Sequence, residues 1–153
     1  MDELNEGLNV LQIWEKWHWQ NVFREIRDAG IDLNEDNIER IIKLMSFEQR
    51  SKRNPDLCPP YYSIGQSCYP SIEDLNCMLC ACPNYDSSRL EGGCRSNSPQ
   101  GKMNKHKNLP AGQVWDCSAC PGYHSPGDIR KYLKQNLSRL RIMSEKILQE
   151  TEK

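Results

Sequence analysis

Hydrophobic residues recur at helical spacing at both ends of the chain and become sparse in its middle. In the N-terminal part, apolar residues three and four positions apart predict a first helix from about Asp2 to Ala29, which stops at Gly30. A second helix is predicted to begin between Asn34 and Asn37. Its apolar face consists of Ile38, Ile41, Ile42 and Met45, with Phe47 as a further member. The two segments together indicate a helical hairpin over residues 1–53.

A third helical pattern occupies the C-terminal end of the chain. Ser125, Pro126 and Asp128 form a Ser-x-x-Asp capping signature with proline at the first helical position. The apolar positions that follow at steps of three and four are Ile129, Leu133, Leu137, Leu140, Met143 and Ile147. A single apolar stripe of this kind predicts a helix over residues 128–153 that packs on the N-terminal hairpin.

The first predicted helix carries apolar residues on two opposite faces. One face contains Leu4, Leu8, Leu11, Trp19, Val22, Phe23 and Ile26, and the other contains Val10, Ile13, Trp14 and Trp17. Because tryptophan buries a large area at small entropic cost and is enriched in binding hot spots, we expect the second face to dock onto a partner protein. In the alternative interpretation, the helix kinks near Gly7, or the cysteine region covers this face together with Trp115.

The middle of the chain, residues 54–127, contains all eight cysteines but few aliphatic side chains. Ordering one residue costs roughly 1.5 kcal/mol, which so few aliphatic residues cannot offset over this length. A structural metal, which contributes about 10–16 kcal/mol in small zinc peptides, would be sufficient. The predicted fold is therefore a small α plus irregular one. In it, a helical hairpin (1–53) and a C-terminal helix (128–153) flank a loop-rich cysteine module (54–127) that metal centres hold together.

The charge balance and the N-terminal sequence argue against nucleic acid and membranes as partners. The chain has 20 lysine and arginine residues against 21 aspartate and glutamate residues, so no positive excess favours nucleic acid or an anionic membrane surface. No run approaches the roughly 18 apolar residues of a membrane span, and the first ten residues, MDELNEGLNV, are acidic. These features predict a cytoplasmic protein without membrane insertion. In that compartment, eight cysteines favour metal ligands or redox groups over structural disulfides.

The cysteines are spaced as metal ligands are. The eight candidate ligands are Cys58, Cys68, Cys77, Cys80, Cys82, Cys94, Cys117 and Cys120, enough for two sites of four ligands. The sequences CMLC and CSAC are C-x2-C pairs, in which a tight turn presents two thiolates to one metal. In one interpretation, Cys80 and Cys82, the two cysteines of the C-x-C step, serve different sites. Alternatively, Cys77, Cys80 and Cys82 together surround one cuboidal cluster, as closely spaced cysteines of ferredoxins do.

With these motifs the sequence resembles the cysteine-rich small domain family, zinc-finger-like proteins of anaerobic archaea and clostridia. The resemblance is carried by DLNCMLCACPNY at residues 74–85, by GGC ending at Cys94 and by DCSACPGYH at residues 116–124. Cys58 and Cys68 correspond to the leading cysteine pair of the family, although Tyr69 stands where the family often has histidine. The resemblance covers about residues 55–127, and all eight cysteines have a counterpart in it.

The resemblance implies metal binding and no particular reaction. Members of the family also occur fused to cobamide-biosynthetic threonine-phosphate decarboxylases, which implies a corrinoid protein or a corrinoid-dependent methyltransferase as the larger partner. An anaerobic, iron-rich setting favours two iron–sulfur clusters over two Zn²⁺ ions as the cofactors. His124, four residues beyond Cys120, is a candidate further ligand or hydrogen-bond partner of a metal site.

No recognisable catalytic motif accompanies these ligands. The chain lacks G-x-S-x-G, a phosphate-binding glycine loop and H-E-x-x-H. We therefore expect a protein that is not an enzyme and that docks on a larger complex, with an affinity that responds to redox state or oxygen. The alternatives are a small iron–sulfur electron carrier and a zinc-ribbon protein that binds nucleic acid.

Overall fold

The computed structural model describes residues 7–151 and divides the chain into two compact units. Of the described residues, the helical unit comprises 20–80 and 122–151, and the loop unit comprises 7–19 and 81–121. The sequence-based division into segments 1–53, 54–127 and 128–153 stays a prediction. The fold is small and mixed, with helices, irregular segments and a two-stranded antiparallel sheet.

Helix α1 spans Val10–Asp28 and begins later than the periodicity predicted. The predicted start near Asp2 lies outside the described residues, and residues 7–9 are not helical. Gly7 has a left-handed φ of 78°. Asn9 and Gln12 then form a reciprocal cap, in which the Gln12 amide donates to Asn9 Oδ1 at 2.9 Å and the Asn9 amide donates to Gln12 Oε1 at 3.1 Å. This capping chemistry sets the start of the helix.

The predicted stop of α1 at Gly30 is confirmed, and its reason is a Schellman motif. Gly30 has a φ of 69°, its amide donates to the carbonyl of Arg27 at 2.9 Å, and the amide of Ile31 donates to the carbonyl of Ile26 at 3.2 Å. Both isoleucines are buried. The chain therefore leaves α1 in a defined direction towards the next helix.

The second predicted helix is present but is shorter than expected. A 3₁₀ turn at Glu35–Asn37 leads into α2, Ile38–Leu44. The expected continuation through Met45 to Phe47 is wrong, because the Ser46 hydroxyl accepts the amide of Gln49 and starts α3, Phe47–Arg53. A one-turn helix α4, Pro59–Tyr62, follows.

Helix α5 spans Pro126–Thr151 and confirms the C-terminal prediction. The Ser125 hydroxyl accepts the amide of Asp128 at 3.2 Å, as the capping signature requires. Ile129, Leu133 and Leu140 of the predicted stripe are fully buried. Helix α5 packs against α2, the second helix of the predicted hairpin.

The two units differ in how much apolar surface they bury. The helical unit contains the main core, whose largest fully buried side chains include Phe23, Ile41, Met45, Met78, Leu79, Ile129, Leu133 and Leu140. In the described part of the loop unit, residues 7–19 and 81–121, the buried hydrophobic side chains are Trp19 and Ala81. Apolar packing therefore stabilises the helical unit far more than the loop unit.

The loop unit contains a β-hairpin that the sequence analysis did not predict. Strand β1, Lys102–Lys105, pairs with β2, Gln113–Asp116, in an antiparallel register that places Met103 opposite Trp115. The His106 amide donates to the carbonyl of Gly112 at 2.9 Å and closes the connection. The lysine-rich segment after Gly101 therefore begins with a strand.

Among the helices of residues 7–151, none has both the length and the apolar character that crossing a bilayer requires.

Candidate metal centre

All eight cysteines are free thiols, and they divide equally between the two units. We call Cys58, Cys68, Cys77 and Cys80 the helical-unit thiols, and Cys82, Cys94, Cys117 and Cys120 the loop-unit thiols. The boundary between the units falls between Cys80 and Ala81, within the C-x-C step. Each unit thus contains one of the two C-x2-C pairs and two further cysteines.

The helical-unit thiols converge around the buried Cys77. Cys77 belongs to a buried cluster with Tyr62 and Leu75, and Cys58 and Cys68 pack against that cluster. The amide of Cys80 donates to the carbonyl of Cys77 at 3.4 Å, which forms the tight turn expected of a C-x2-C pair. Three of these thiols therefore lie in or against one buried cluster, and the turn connects Cys80 to it.

Hydrogen bonds make Cys77 the most acidic member of the helical-unit thiols. The Cys80 thiol and the Tyr62 hydroxyl donate to its sulfur and, with the nearby Arg50 guanidinium, lower the pKa of Cys77 to about 7 although burial opposes this. The same hydrogen bond raises the pKa of Cys80, which is an exposed residue. Burial and the charge of Cys77 raise the pKa of Cys58. At neutral pH this group can offer a metal one thiolate before the others lose their protons.

The guanidinium near these sulfurs is held by a buried ion pair that the sequence analysis missed. Arg50 of α3 is 4% exposed and Glu25 of α1 is 8% exposed. Arg50 Nε donates to both Glu25 oxygens at 3.2 and 3.1 Å, and its Nη2 donates to Oε2 at 2.9 Å. Arg53 Nη2 and Asn54 Nδ2 each donate to Glu25 Oε1 at 2.8 Å. The donors of this network compensate the negative charge of Glu25. The positive charge of Arg50 also helps to lower the pKa of Cys77.

The loop-unit thiols are positioned by backbone pairing and by one serine. The segments that contain Cys82 and Cys94 pair through a bridge between Tyr85 and Cys94, and the Tyr85 amide donates to the carbonyl of Cys82 at 3.0 Å. Ser98 joins Cys94 to Cys120, because its amide lies 3.5 Å from Cys94 Sγ and its hydroxyl lies 3.7 Å from Cys120 Sγ. The Cys120 amide donates to the carbonyl of Cys117 at 2.9 Å, which forms the second C-x2-C turn.

One loop-unit thiol is again more acidic than its neighbours. Donors from Ser96 and Ser98 lower the pKa of Cys94. Burial and the nearby Cys82 and Cys120 raise the pKa of Cys117 to about 11. Each group therefore combines one thiol of lowered pKa with members whose pKa is raised by burial.

The donor chemistry of each group fits a thiophilic metal, but the side chains would have to move to bind one. A tetrahedral zinc ion with Zn–S bonds of about 2.3 Å would bring its sulfurs to about 3.8 Å from one another. In the part of the chain from residue 7 to residue 151, no three His, Cys, Asp or Glu side chains are placed so that they would hold a metal ion. Metal binding therefore requires the thiols of each group to draw closer together.

His124 lies beside the helical-unit thiols in a supporting position. It is buried, its Nδ1 is 2.8 Å from the carbonyl oxygen of Gly122, and its ring packs on Tyr69 with a centroid distance of 4.7 Å. Its carbonyl accepts the amide of Asn76 at 2.7 Å, next to Cys77 in the chain. This arrangement favours a role in fixing the Cys68 and Cys77 segments over a role as a ligand.

The predicted partner-binding face of α1 is largely exposed. Val10, Trp14 and Trp17 are 42%, 48% and 42% exposed, while Ile13 is half-buried. The Trp14 ring stacks on the buried His18 with a centroid distance of 5.7 Å. On the other predicted face, Trp19, Val22, Phe23 and Ile26 are buried, whereas Leu11 is half-buried, Leu8 precedes the helix and Leu4 lies outside the described residues.

Sequence reasoning found the eight thiols but missed the groups that support them. Tyr62 and Arg50 reach the helical-unit thiols through tertiary packing, and no spacing rule connects them to a cysteine. Ser98 lies four residues beyond Cys94, and this local spacing could have indicated a hydrogen bond to the sulfur.

Comparison of the chain with protein-family models, curated proteins and solved structures finds no match. The resemblance to the cysteine-rich small domain family therefore stays an expectation that rests on the cysteine motifs.

Proposed function

We propose that the protein is a metal-binding accessory protein that binds iron–sulfur clusters or Zn²⁺ through its eight cysteines and docks on a larger protein. The observation that carries this proposal is the division of eight free thiols into two groups of four, each with a C-x2-C turn. Four thiolates are the usual ligand set of a structural zinc ion or of an iron–sulfur cluster. The scarcity of buried apolar side chains in the described loop unit supports a structural use of the metal there.

Anaerobic purification followed by elemental analysis and visible absorption tests the metal-binding proposal. Iron with sulfide and a broad visible absorption band would identify clusters, and two zinc ions in a colourless protein would identify zinc. A protein that binds neither metal after anaerobic reconstitution would refute the proposal. A colourless zinc protein would also exclude the alternative function of an electron carrier.

The exposed face of α1 supports the docking part of the proposal. Two exposed tryptophans lie one helical turn apart, and Val10 extends the same surface. Tryptophan at the centre of an interface commonly contributes about 2 kcal/mol or more to binding, which corresponds to about 30-fold in affinity. The partner implied by the family resemblance is a corrinoid protein or a corrinoid-dependent methyltransferase.

Calorimetric titration with a purified corrinoid-dependent methyltransferase tests this docking. The variant Trp14→Ala/Trp17→Ala should bind at least about 30-fold more weakly, with unchanged helix content and metal content. Ile142→Ala is the matched control, because Ile142 of α5 is 69% exposed and lies far from Trp14 in the sequence. Equal affinities of the wild type and the double variant would contradict docking through α1.

Redox control of this docking is the remaining part of the proposal. Oxidation of two thiolates of one group to a disulfide transfers two electrons to an oxidant such as dioxygen and removes two ligands from the metal. The shape of the affected unit would then change, and with it the affinity for the partner. Identical affinities before and after exposure to air, measured in the same titration, would refute this control.

A further inference from the structure

We infer that the eight cysteines form two independent four-thiolate centres, one from the helical-unit thiols and one from the loop-unit thiols. This inference rests on the proposed metal-binding function and adds the assignment of ligands to each centre. It follows from the contacts within each unit, which connect all four members of a group to one another.

In the helical unit, three cysteines share one buried cluster. Cys58 and Cys68 pack against the buried cluster of Tyr62, Leu75 and Cys77. The Tyr62 amide donates to the carbonyl of Cys58 at 2.9 Å, so Tyr62 connects the Cys58 segment to this cluster. Cys80 joins them through the turn that begins at Cys77. The sequence separation of Cys58 and Cys77 is thus bridged by tertiary packing.

In the loop unit, Ser98 and the paired backbone connect the four cysteines. Ser98 contacts the sulfurs of Cys94 and Cys120. The Arg95 amide donates to the carbonyl of Asn84 at 2.7 Å, which holds the segment after Cys82 beside the segment of Cys94. Cys117 joins through its turn with Cys120.

The C-x-C step separates the two centres. The last residue of the helical unit in this segment is Cys80, and the loop unit resumes at Ala81. The carbonyl of Cys82 accepts the Tyr85 amide at 3.0 Å, and Tyr85 is bridged to Cys94, so Cys82 belongs with the loop-unit thiols, whereas Cys80 forms its turn with Cys77. On this assignment, Cys77, Cys80 and Cys82 do not surround a single cluster.

The assignment is tested with two variants of the full chain that lose the same number of cysteines. Both variants and the wild type are reduced, reconstituted with Zn²⁺ under anaerobic conditions and analysed for bound zinc by elemental analysis and native mass spectrometry. The block variant replaces the whole helical-unit group: Cys58→Ala, Cys68→Ala, Cys77→Ala and Cys80→Ala. The mixed variant replaces two members of each group: Cys58→Ala, Cys68→Ala, Cys117→Ala and Cys120→Ala.

The wild type should bind two zinc ions, the block variant one and the mixed variant none, since two thiolates do not complete a four-ligand site. A mixed variant that keeps one zinc ion, or a block variant that keeps none, would overturn the assignment while leaving metal binding itself established. A wild type that binds no zinc and no iron–sulfur cluster would instead overturn the proposed function.

A measurement on the wild type avoids any dependence on how the variants fold. The protein is loaded with ¹¹³Cd²⁺, and correlations between cadmium and the cysteine β-protons identify the ligands of each ion. Two cadmium signals should each correlate with four cysteines, and the two sets should be the helical-unit and the loop-unit thiols. A signal that correlates with both Cys80 and Cys82 would overturn the assignment.

Discussion

Replacing Arg50 by methionine is expected to destabilise the helical unit strongly. Arg50 makes three hydrogen bonds to Glu25, and the side chains of the two residues are only 5% and 7% exposed. Methionine has a similar length but no charge, so Arg50→Met leaves the Glu25 carboxylate in the core without its main partner. Removal of one member of a buried ion pair typically costs about 3–5 kcal/mol.

The structure indicates the lower end of that range. Arg53 and Asn54, which each donate to Glu25 Oε1 at 2.8 Å, are unchanged in the variant, so part of the charge compensation should remain. A loss of about 3 kcal/mol corresponds to a decrease in Tm of about 6–12 °C for a chain of this size. The assay is thermal unfolding followed by far-ultraviolet circular dichroism, with wild type and variant both saturated with zinc.

Lys52→Met is the matched control on the same helix. Lys52 pairs with Glu48 at 3.5 Å, and these side chains are 76% and 75% exposed, so loss of this pair should change stability by a few tenths of a kcal/mol at most. If Arg50→Met lowers Tm no more than Lys52→Met does, the buried pair is not an important source of stability. The double variant Glu25→Gln/Arg50→Met should recover part of the loss, because it removes the buried unpaired charge.

The same ion pair predicts how stability depends on acid. Burial acts to raise the pKa of Glu25, but hydrogen bonds from Arg50, Arg53 and Asn54 and the charge of Arg50 lower it below its ordinary value of 4.5. A carboxyl group whose pKa is lower in the folded state stabilises the fold above its unfolded pKa, and this contribution disappears as the pH falls through the folded pKa. The difference in unfolding free energy between wild type and Glu25→Gln should therefore be constant near neutral pH and shrink below about pH 4.5. A difference that does not change between pH 6 and the onset of acid unfolding, on the order of pH 3, would contradict the lowered pKa.

Two further predictions concern the loop unit. Gly92 and Gly112 have φ angles of 75° and 71°, but a Cβ at Gly92 would lie 2.2 Å from the Tyr85 hydroxyl oxygen, whereas a Cβ at Gly112 would meet no atom within 4 Å. Gly112→Ala should therefore cost about 1–2 kcal/mol for backbone strain alone. Gly92→Ala should cost clearly more in the unfolding of the zinc-loaded protein, and equal losses would contradict the close packing of Tyr85. Chelation of the metal should increase amide hydrogen exchange over residues 81–121 far more than in α5, and equally fast exchange in both would refute the metal dependence of the loop unit.

The helices of this protein could be predicted from the sequence because their signals are local. The stop of α1 at Gly30, the cap at Ser125 and the buried stripe of α5 each depend on residues within a few positions of one another. The described residues 7–9 are not helical although apolar periodicity continues through Leu8, because the cap of Asn9 and Gln12 starts α1 there. The hairpin of β1 and β2 was missed because the lysine-rich β1 has little apolar alternation. Its strand conformation depends instead on antiparallel pairing with β2, which is a nonlocal contact.

The grouping of the cysteines could not be predicted from spacing, because the contacts that decide it are nonlocal. Spacing pairs Cys77 with Cys80 and Cys117 with Cys120, but it leaves two alternatives open for Cys82 and does not place Cys58, Cys68 or Cys94. Packing on Tyr62 brings Cys58 to Cys77, and Ser98 brings Cys94 to Cys120. If the chain binds metal as proposed, the two units should differ in how much they depend on it. The helical-unit thiols adjoin an apolar core that can persist without a metal, whereas the described loop unit buries few apolar side chains.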